Sequence, residues 1–353
     1  MLENVSGSAR PARRGFLLGA AALGAGGMLS ACTSNELPQS TSAGAAPAAN
    51  ASSTPGKHVT IGFAGPLADH GWLNAINVNA TERAASYEDV TFETTEGSND
   101  TAQQIGQVET LINKQVDVLI ILPADGKALT QVGLRAMEAG IPVINLDRIF
   151  DSPQAYRTWI GGDNYGMGLN AGRYIGEQLK DKPEATVVEL AGLDNLELTQ
   201  QRTRGFDDAL KNYPNIRKVA RQAADFTVES GQAKMAQLLQ AVPRFDAIWN
   251  HDDDQGIGAE RAIAQAGRDE FFMVGGAGSL HAMEAIQADN TVLKATVLYP
   301  PTMAASAVDL ARALGQGTGV SGLAEHEIPT SLALYSAVVS KENVADYIAT
   351  GFV

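Results

Sequence analysis

The sequence predicts an α/β protein made of two doubly wound parallel-sheet lobes. Three observations point there. From His58 onward, short β-rich apolar runs alternate with longer stretches of helical periodicity. Several of these runs are apolar without interruption, as expected of strands covered by helices on both faces. The runs are also too many for one small sheet, and a changeover near Gly161-Gly162-Asp163 divides them between two similar lobes.

Taken in order, the first-lobe strands are expected in 59–64 (VTIGFA), 90–95 (VTFETT), 116–122 (VDVLIIL) and 141–146 (IPVINL). The second-lobe strands are expected in 185–190 (ATVVEL), 216–222 (IRKVARQ), 245–250 (FDAIWN), 271–276 (FFMVGG) and 293–298 (LKATVL). Between them, Ile105, Val108, Leu111 and Ile112 fall on one face at 3.6-residue spacing. Asp100 with Gln103 three residues on has the spacing of a capping box for that helix. Met235, Leu238 and Leu239 mark a later helix, and Gly140-Ile141-Pro142 and Gly267 stand where helices should stop.

Ahead of this body, the basic pair Arg13-Arg14 precedes a Gly- and Ala-rich apolar stretch that ends in Leu29-Ser30-Ala31-Cys32. The order of charge, apolar middle, small residues and cysteine resembles a bacterial lipoprotein signal. It implies a signal peptide over 1–31, cleavage before a lipidated Cys32, and an extracytoplasmic, membrane-anchored product. The apolar stretch is too short for a permanent span. Arg13-Arg14-Gly15-Phe16-Leu17 looks like a twin-arginine motif, although the general secretion route uses similar starts. Residues 32–56 are dominated by Ser, Thr, Ala and Pro with a single charge, Glu36, and read as a flexible tether behind the lipidated cysteine.

The chain carries a net charge of −14. Loss of Glu3, Arg10, Arg13 and Arg14 with the signal would make it more acidic still. Such a globule repels phosphate backbones, which argues against nucleic acid as a partner. Cys32 is the single cysteine, so no disulfide forms within one chain and the fold relies on burial.

In doubly wound sheets, ligands bind beyond the carboxyl ends of the strands. Those ends hold Asp69, His70 and Trp72, then Asp147-Arg148, Asp225-Phe226, His251-Asp252-Asp253-Asp254, Gly276 to Ser279, and Tyr299. Ile141 to Arg148 with Gly162-Asp163-Asn164, Gln201-Arg202-Thr203-Arg204-Gly205-Phe206, Ala224-Asp225-Phe226, and His251 to Asp254 leading into Gly256-Ile257-Gly258-Ala259 together resemble the sugar-binding proteins of ABC importers, nearest the ribose-binding type. The resemblance covers nearly all of 57–340.

It implies a type I periplasmic-binding-protein architecture, with a first lobe of 57–161 plus 299–325 and a second of 162–298 plus 326–353. Hinges are expected near Gly161–Asp163, Val297–Pro300 and Glu325–Glu327. It also implies a monomeric, non-enzymatic protein without cofactor or metal, which gives a sugar or polyol to a membrane permease. Asp147 and Arg148 would hold sugar hydroxyls, a carboxylate accepting and a guanidinium fork donating. Arg202 would reach the ligand from the second lobe, and Trp72 and Phe226 would press on its C–H faces. Asp69, His70, Asp252 and Tyr299 complete the expected ligand-binding set. The chain departs from the ribose pattern at three places: Asp252 replaces an asparagine, Ala277 an aspartate, and Tyr299 a glutamine. The cleft therefore satisfies a different hydroxyl pattern, and a pentose, hexose or acyclic polyol all remain open.

Competing readings are a metal-dependent enzyme built on His251 to Asp254, since oxygen ligands suit Ca²⁺ or Mg²⁺, and a sugar-responsive repressor. The first conflicts with the expectation that adjacent side chains on one turn diverge. The acidic run equally suits a helix N-terminus. The second would need an N-terminal helix-turn-helix and a basic face. Gly276-Ala277-Gly278-Ser279-Leu280-His281 lacks the third glycine of a dinucleotide loop. A receptor that presents ligand to a signalling partner shares the same body and stays open.

Overall fold

Strand-forming runs that are buried on both faces set the architecture. In the computed structural model, which describes residues 55–319 and 328–353, the chain starts with β1 (Val59–Ala64), α1 (Gly71–Ala85), β2 (Val90–Thr94), α2 (Thr101–Asn113), β3 (Val118–Ile121), α3 (Gly126–Glu138), β4 (Val143–Leu146) and β5 (Thr158–Gly162). It then passes to α4 (Asn164–Leu179), β6 (Ala185–Ala191), α5 (Glu197–Leu210), β7 (Ile216–Ala223), α6 (Val228–Ala241), β8 (Ala247–Asn250), α7 (Asp253–Ala266), β9 (Phe272–Ala277), α8 (Leu280–Ala288) and β10 (Leu293–Leu298). The last elements are α9 (Met303–Gln316), β11 (Ser331–Leu334), β12 (Val338–Ser340) and α10 (Val344–Tyr347). The expected signal peptide, Cys32, nearly all of the tether and the expected hinge at Glu325–Glu327 lie outside the described residues. Among the described residues no helix is long and apolar enough to cross a membrane.

The strands form two six-stranded sheets, β11-β5-β4-β3-β1-β2 and β12-β10-β9-β8-β6-β7. Every pairing is parallel except β10 with β12. Strand β3 shows why its run is continuously apolar. Val118 and Ile120 enter the core on one face, while Leu119 and Ile121 enter the core under α2 and α3 on the other. The helix expected from Ile105, Val108, Leu111 and Ile112 is α2. Asp100 caps it by accepting from the Ala102 and Gln103 amides. The capping box is not reciprocal, because the Gln103 side chain accepts from the Ser98 hydroxyl and the Asp100 amide donates to that same hydroxyl. Gly140 and Gly267 hold φ of 80° and 62° just after α3 and α7, a conformation that costs glycine least.

Three strands were not anticipated: β5, β11 and β12. The lobe division differs accordingly. Residues 331–334 were expected in the second lobe, yet β11 pairs with β5 in the first sheet, from Ser331 opposite Trp159 to Leu334 opposite Gly162. The free edge of β5 takes a partner before the chain leaves, so the third crossing falls at 335–337 rather than near 325–327. The crossings are laced together. The Asp163 amide donates to the Leu334 carbonyl, the Ser336 hydroxyl to the Asp163 carbonyl, and the Leu298 amide to the Ala337 carbonyl.

Helix α9 closes over the first sheet and is tied to the start of β2 by a buried ion pair. Arg312 Nε and Nη2 reach the two oxygens of Asp89 at 2.8 and 2.6 Å, with both residues about 5% exposed. The hydrogen bonds to Arg312 hold the Asp89 carboxyl well below its usual range. Its contribution is therefore complete at neutral pH and is lost only in strong acid. Asp89→Asn removes the carboxylate that accepts from Arg312 Nε and Nη2, and denaturant unfolding at pH 7 should show a loss of about 3–5 kcal/mol. A midpoint equal to wild type would show that the pair contributes nothing net.

Candidate functional site

The ends of the parallel strands carry the site. Asp147 follows β4 directly, Phe226 lies just beyond β7, and Ala277 ends β9. All three hold positive φ, at 61°, 72° and 104°, and they are three of the five such non-glycine residues among those described. A side chain in that region is strained, and the strain persists only where the surroundings over-determine it. For Asp147 the surroundings are explicit: its amide donates to the Ile160 carbonyl and its carbonyl accepts from Trp159 Nε1, both at 2.8 Å.

Between the lobes, ten residues enclose a narrow seat of about 20 Å³: His70, Trp72, Asp147, Arg148, Leu198, Arg202, Phe226, Asp252, Ala277 and Tyr299. That is room for about one water. The seat adjoins a wider interlobe cleft, with spaces of about 750 and 570 Å³ that share Asp125, Lys127, Arg148, Asn195 and Leu196 in their lining. Eight of the nine expected ligand-binding residues line the seat. The ninth, Asp69, lines only the adjoining mouth and acts through a neighbour, accepting from His70 Nδ1 at 2.6 Å and from Asn99 Nδ2 at 2.8 Å.

Tyr299 is at the centre. Its hydroxyl donates to Asp147 Oδ1 and accepts from Asn164 Nδ2 at 3.0 Å. Its carbonyl accepts from Trp72 Nε1 at 2.8 Å, and the two rings lie 5.5 Å apart. Arg202 covers the Tyr299 ring at 4.6 Å and lies 5.9 Å from the Phe226 ring. Arg202 is itself fixed, with Nε on Asn164 Oδ1 and Nη1 on the His251 carbonyl, both at 2.9 Å. A Cβ at Gly162 would come within 2.1 Å of the Tyr299 ring, which is why β5 ends in glycine there. Arg148 is held by its Nη1 on the Ala124 carbonyl at 2.8 Å, while its Nε is buried without a hydrogen-bond partner.

The seat holds two carboxylates and two guanidinium groups. Burial raises the Asp147 carboxyl against the opposing pull of Arg148, the Tyr299 hydroxyl and Arg202. Burial also pushes Asp252 up to about 6, partly offset by His70. Desolvation lowers Arg148, with Asp147 opposing it. Burial works against the charge on His70, but its hydrogen bond to Asp69 and the field of Asp252 outweigh it and raise that imidazole. A neutral ligand that both donates and accepts matches this balanced set.

The acidic run after β8 diverges, as adjacent side chains on one turn should. Asp252 caps α7 by accepting from the Asp254 and Gln255 amides. Asp253 accepts from the Gly278 and Ser279 amides and the Thr296 hydroxyl. Asp254 crosses the cleft and accepts from the Trp72 amide at 3.2 Å. Among the described residues no group of three or more acidic, histidine or cysteine side chains converges as a metal site.

Sequence reasoning missed Asn164, Leu198 and Asp254. The Gly162-Asp163-Asn164 motif was the available signal for Asn164, and the strand-end run His251 to Asp254 for Asp254; nothing local pointed to Leu198. It also missed the support beneath the second lobe. There the buried Glu189 accepts from Lys218, the Thr203 hydroxyl and His251 Nε2. Burial pushes His251 down to about 4, and its carbonyl in turn holds Arg202.

Comparison with known proteins gives the family of the chain. The chain is 34% identical over 200 residues to the D-ribose/D-allose-binding protein of Pseudomonas aeruginosa, covering 55% of this chain and 61% of that protein. It is 31% identical over 214 residues to a galactofuranose-binding protein of Escherichia coli, covering 59% and 67%. The alignments thus span about two thirds or less of these curated relatives. A solved solute-binding protein of an ABC transporter from Mycobacterium smegmatis, with bound glycerol, superposes with a TM-score of 0.75 at 25% identity, covering 84% of this chain and 99% of that one. Residues 61–319 match the family model described as a periplasmic binding protein domain, and the chain belongs to that family.

Proposed function

We propose that this protein is an extracytoplasmic solute-binding lipoprotein of an ABC importer, which captures a sugar or polyol by hinge closure and gives it to a membrane permease. The observation that carries this reading is the convergence of first-lobe and second-lobe side chains on one seat: Asp147, Arg148, His70 and Trp72 from one side, Arg202, Phe226 and Asp252 from the other, with Tyr299 on a crossing between them. The relatives bind ribose, allose and galactofuranose by name, and the donor and acceptor set here suits the same class. The protein acts without catalysis and as a monomer. Its lobes part and close about the three crossings, because a ligand bonded to both lobes favours the closed form. Lipid on Cys32 keeps it at the membrane, with residues 33–56 as tether.

Arg148 provides the most direct test. Arg148→Ala should weaken binding of the cognate sugar about ten- to hundredfold, the worth of one or two charge-assisted hydrogen bonds. Ligand-induced thermal stabilisation would largely disappear while the far-ultraviolet spectrum stays that of the wild type. An undiminished thermal shift removes this residue from the site. Fractionation tests the anchor: Cys32→Ser should move the protein from membranes to the soluble fraction, and retention on membranes would count against lipidation. Closure has its own test in Asp254. Removing its bond to the Trp72 amide with Asp254→Ala costs about 0.5–1.5 kcal/mol. The ligand-free protein should then show a larger radius of gyration in X-ray scattering and bind ligand up to about tenfold more weakly. The same radius with and without a tight ligand, in both proteins, would contradict hinge closure.

A further inference from the structure

His70 ends the loop after β1 and stands where the two lobes meet. Its side chain is 7% exposed, and Asp69 of the same loop holds its Nδ1 at 2.6 Å. Its ring lies 6.2 Å from that of Phe226 in the second lobe. Asp252 of the second lobe lines the same seat. The Asp254 carboxylate, also from that lobe, accepts from the Trp72 amide and would stand 2.8 Å from a Cβ on Gly71, the residue next to His70. Asp253 is turned away, to the Gly278 and Ser279 amides.

We infer that His70 is a proton-dependent latch: its imidazolium, held by Asp69, joins the second-lobe carboxylates Asp252 and Asp254, so that mild acid favours the closed cleft and mild alkali releases it. This rests on the hinge-closing reading proposed above and adds its regulation.

The charges around the ring set the sign. The first lobe supplies Asp69, Asp125, Lys127, Asp147 and Arg148, which stay with His70 whether the lobes meet or part. The second lobe brings the carboxyl groups of Asp225, Asp252 and Asp254 against one guanidinium, that of Arg202. Closure therefore adds more negative than positive charge around His70 and displaces water there, where charges act more strongly. An imidazolium gains from that approach and a neutral ring does not. Burial alone would lower the imidazole, yet Asp69, Asp252 and Asp254 together raise it in the joined form. By linkage, the lobes take up a proton on His70 as they meet. The gain is complete where the ring is charged in both forms, and it is lost as pH rises through the higher value of the joined form. Burial acts in the same sense on Asp252, pushed up to about 6, so its share ends at lower pH.

Spin-label distances across the mouth test the latch. Cys32→Ser removes the single native thiol, and Ala128→Cys with Asn195→Cys places one label on each exposed lip. Between about pH 6.5 and about pH 8.5, the ratio of short to long distances in this ligand-free parent should fall at least about threefold. Glutamine keeps a hydrogen bond to Asp69 but carries no charge, so His70→Gln should flatten that change to under about 1.5-fold. Asp254→Asn keeps an acceptor for the Trp72 amide, removes the charge and should give an intermediate change; it also serves where His70→Gln fails to fold. The inference is overturned by a flat ratio in the parent, or by a change as large as the parent's in either variant. Closure by ligand is read apart, by adding D-ribose, D-allose or glycerol at about pH 7. If one of them shortens the distance while pH does not, the solute-binding reading stands and the latch falls. If lower pH shortens it and none of them does, the latch stands and the assignment to that ligand class is what fails.

Discussion

The hydrogen bond between the Tyr299 hydroxyl and Asp147 joins the crossing segment to the end of β4, and much of the site's geometry follows from it. A buried phenol and a buried carboxylate each need a partner, and unpaired they would cost several kcal/mol together. Pairing them fixes the tyrosine ring, and the ring in turn dictates glycine at position 162 and gives Arg202 a face to cover. The Trp72 indole then closes the backbone side of the same residue. Side chains from two lobes and a crossing thus settle into one arrangement because each satisfies a polar group that another has buried.

The charges follow the same logic. Burying Asp147, Asp252, Arg148 and Arg202 together is tolerable because opposite signs are interleaved and the guanidinium groups are held by backbone carbonyls. Arg202 in particular does not wait for a ligand. Asn164 and the His251 carbonyl position it, and His251 is steadied from below by Glu189, which Lys218 and Arg221 neutralise in part. A donor fixed in advance loses less entropy when it binds. Arg148 is the contrasting case, anchored through Nη1 but with Nε buried and left over.

How much of this was legible in the sequence depended on whether the signal was local. Continuous apolar runs such as VLII reported burial on two faces, and the strand-end rule then picked out Asp147, Arg148, Phe226 and Asp252 from a chain with many charged residues. Strand β11 escaped because its alternating, half-exposed SLAL has the pattern of a surface segment, and only the free edge of β5, far away in sequence, makes it a strand. Strand β12 is three residues long, and β5 ends in two glycines whose absent side chains make room for Trp159 and Tyr299. Asp69 was chosen by proximity to Trp72, yet its partners are His70 and Asn99, a matter of loop geometry. The left-handed backbone at Phe226 and Ala277 carries no residue signature, since glycine, asparagine or aspartate would have been the cue, and only Asp147 fits it.

The faces that meet across the cleft bear directly on the closure proposed above. Helices α1 and α7 point their N-termini toward each other, so two partial positive charges oppose. His70 stands at the N-cap of α1 but supplies no side-chain cap; Asp254, from the other lobe, accepts from the Trp72 amide instead. Asp252 caps its own helix from the same turn. The carboxylates between the two helix ends thus turn a repulsive approach into an attractive one. Yet the cross-lobe bond replaces bonds to water and nets only about 0.5–1.5 kcal/mol. A latch of that strength holds the lobes in register without locking them. Under the proposed function the remaining drive would come from a molecule that bonds to both lobes at once, so that binding and closing are one event.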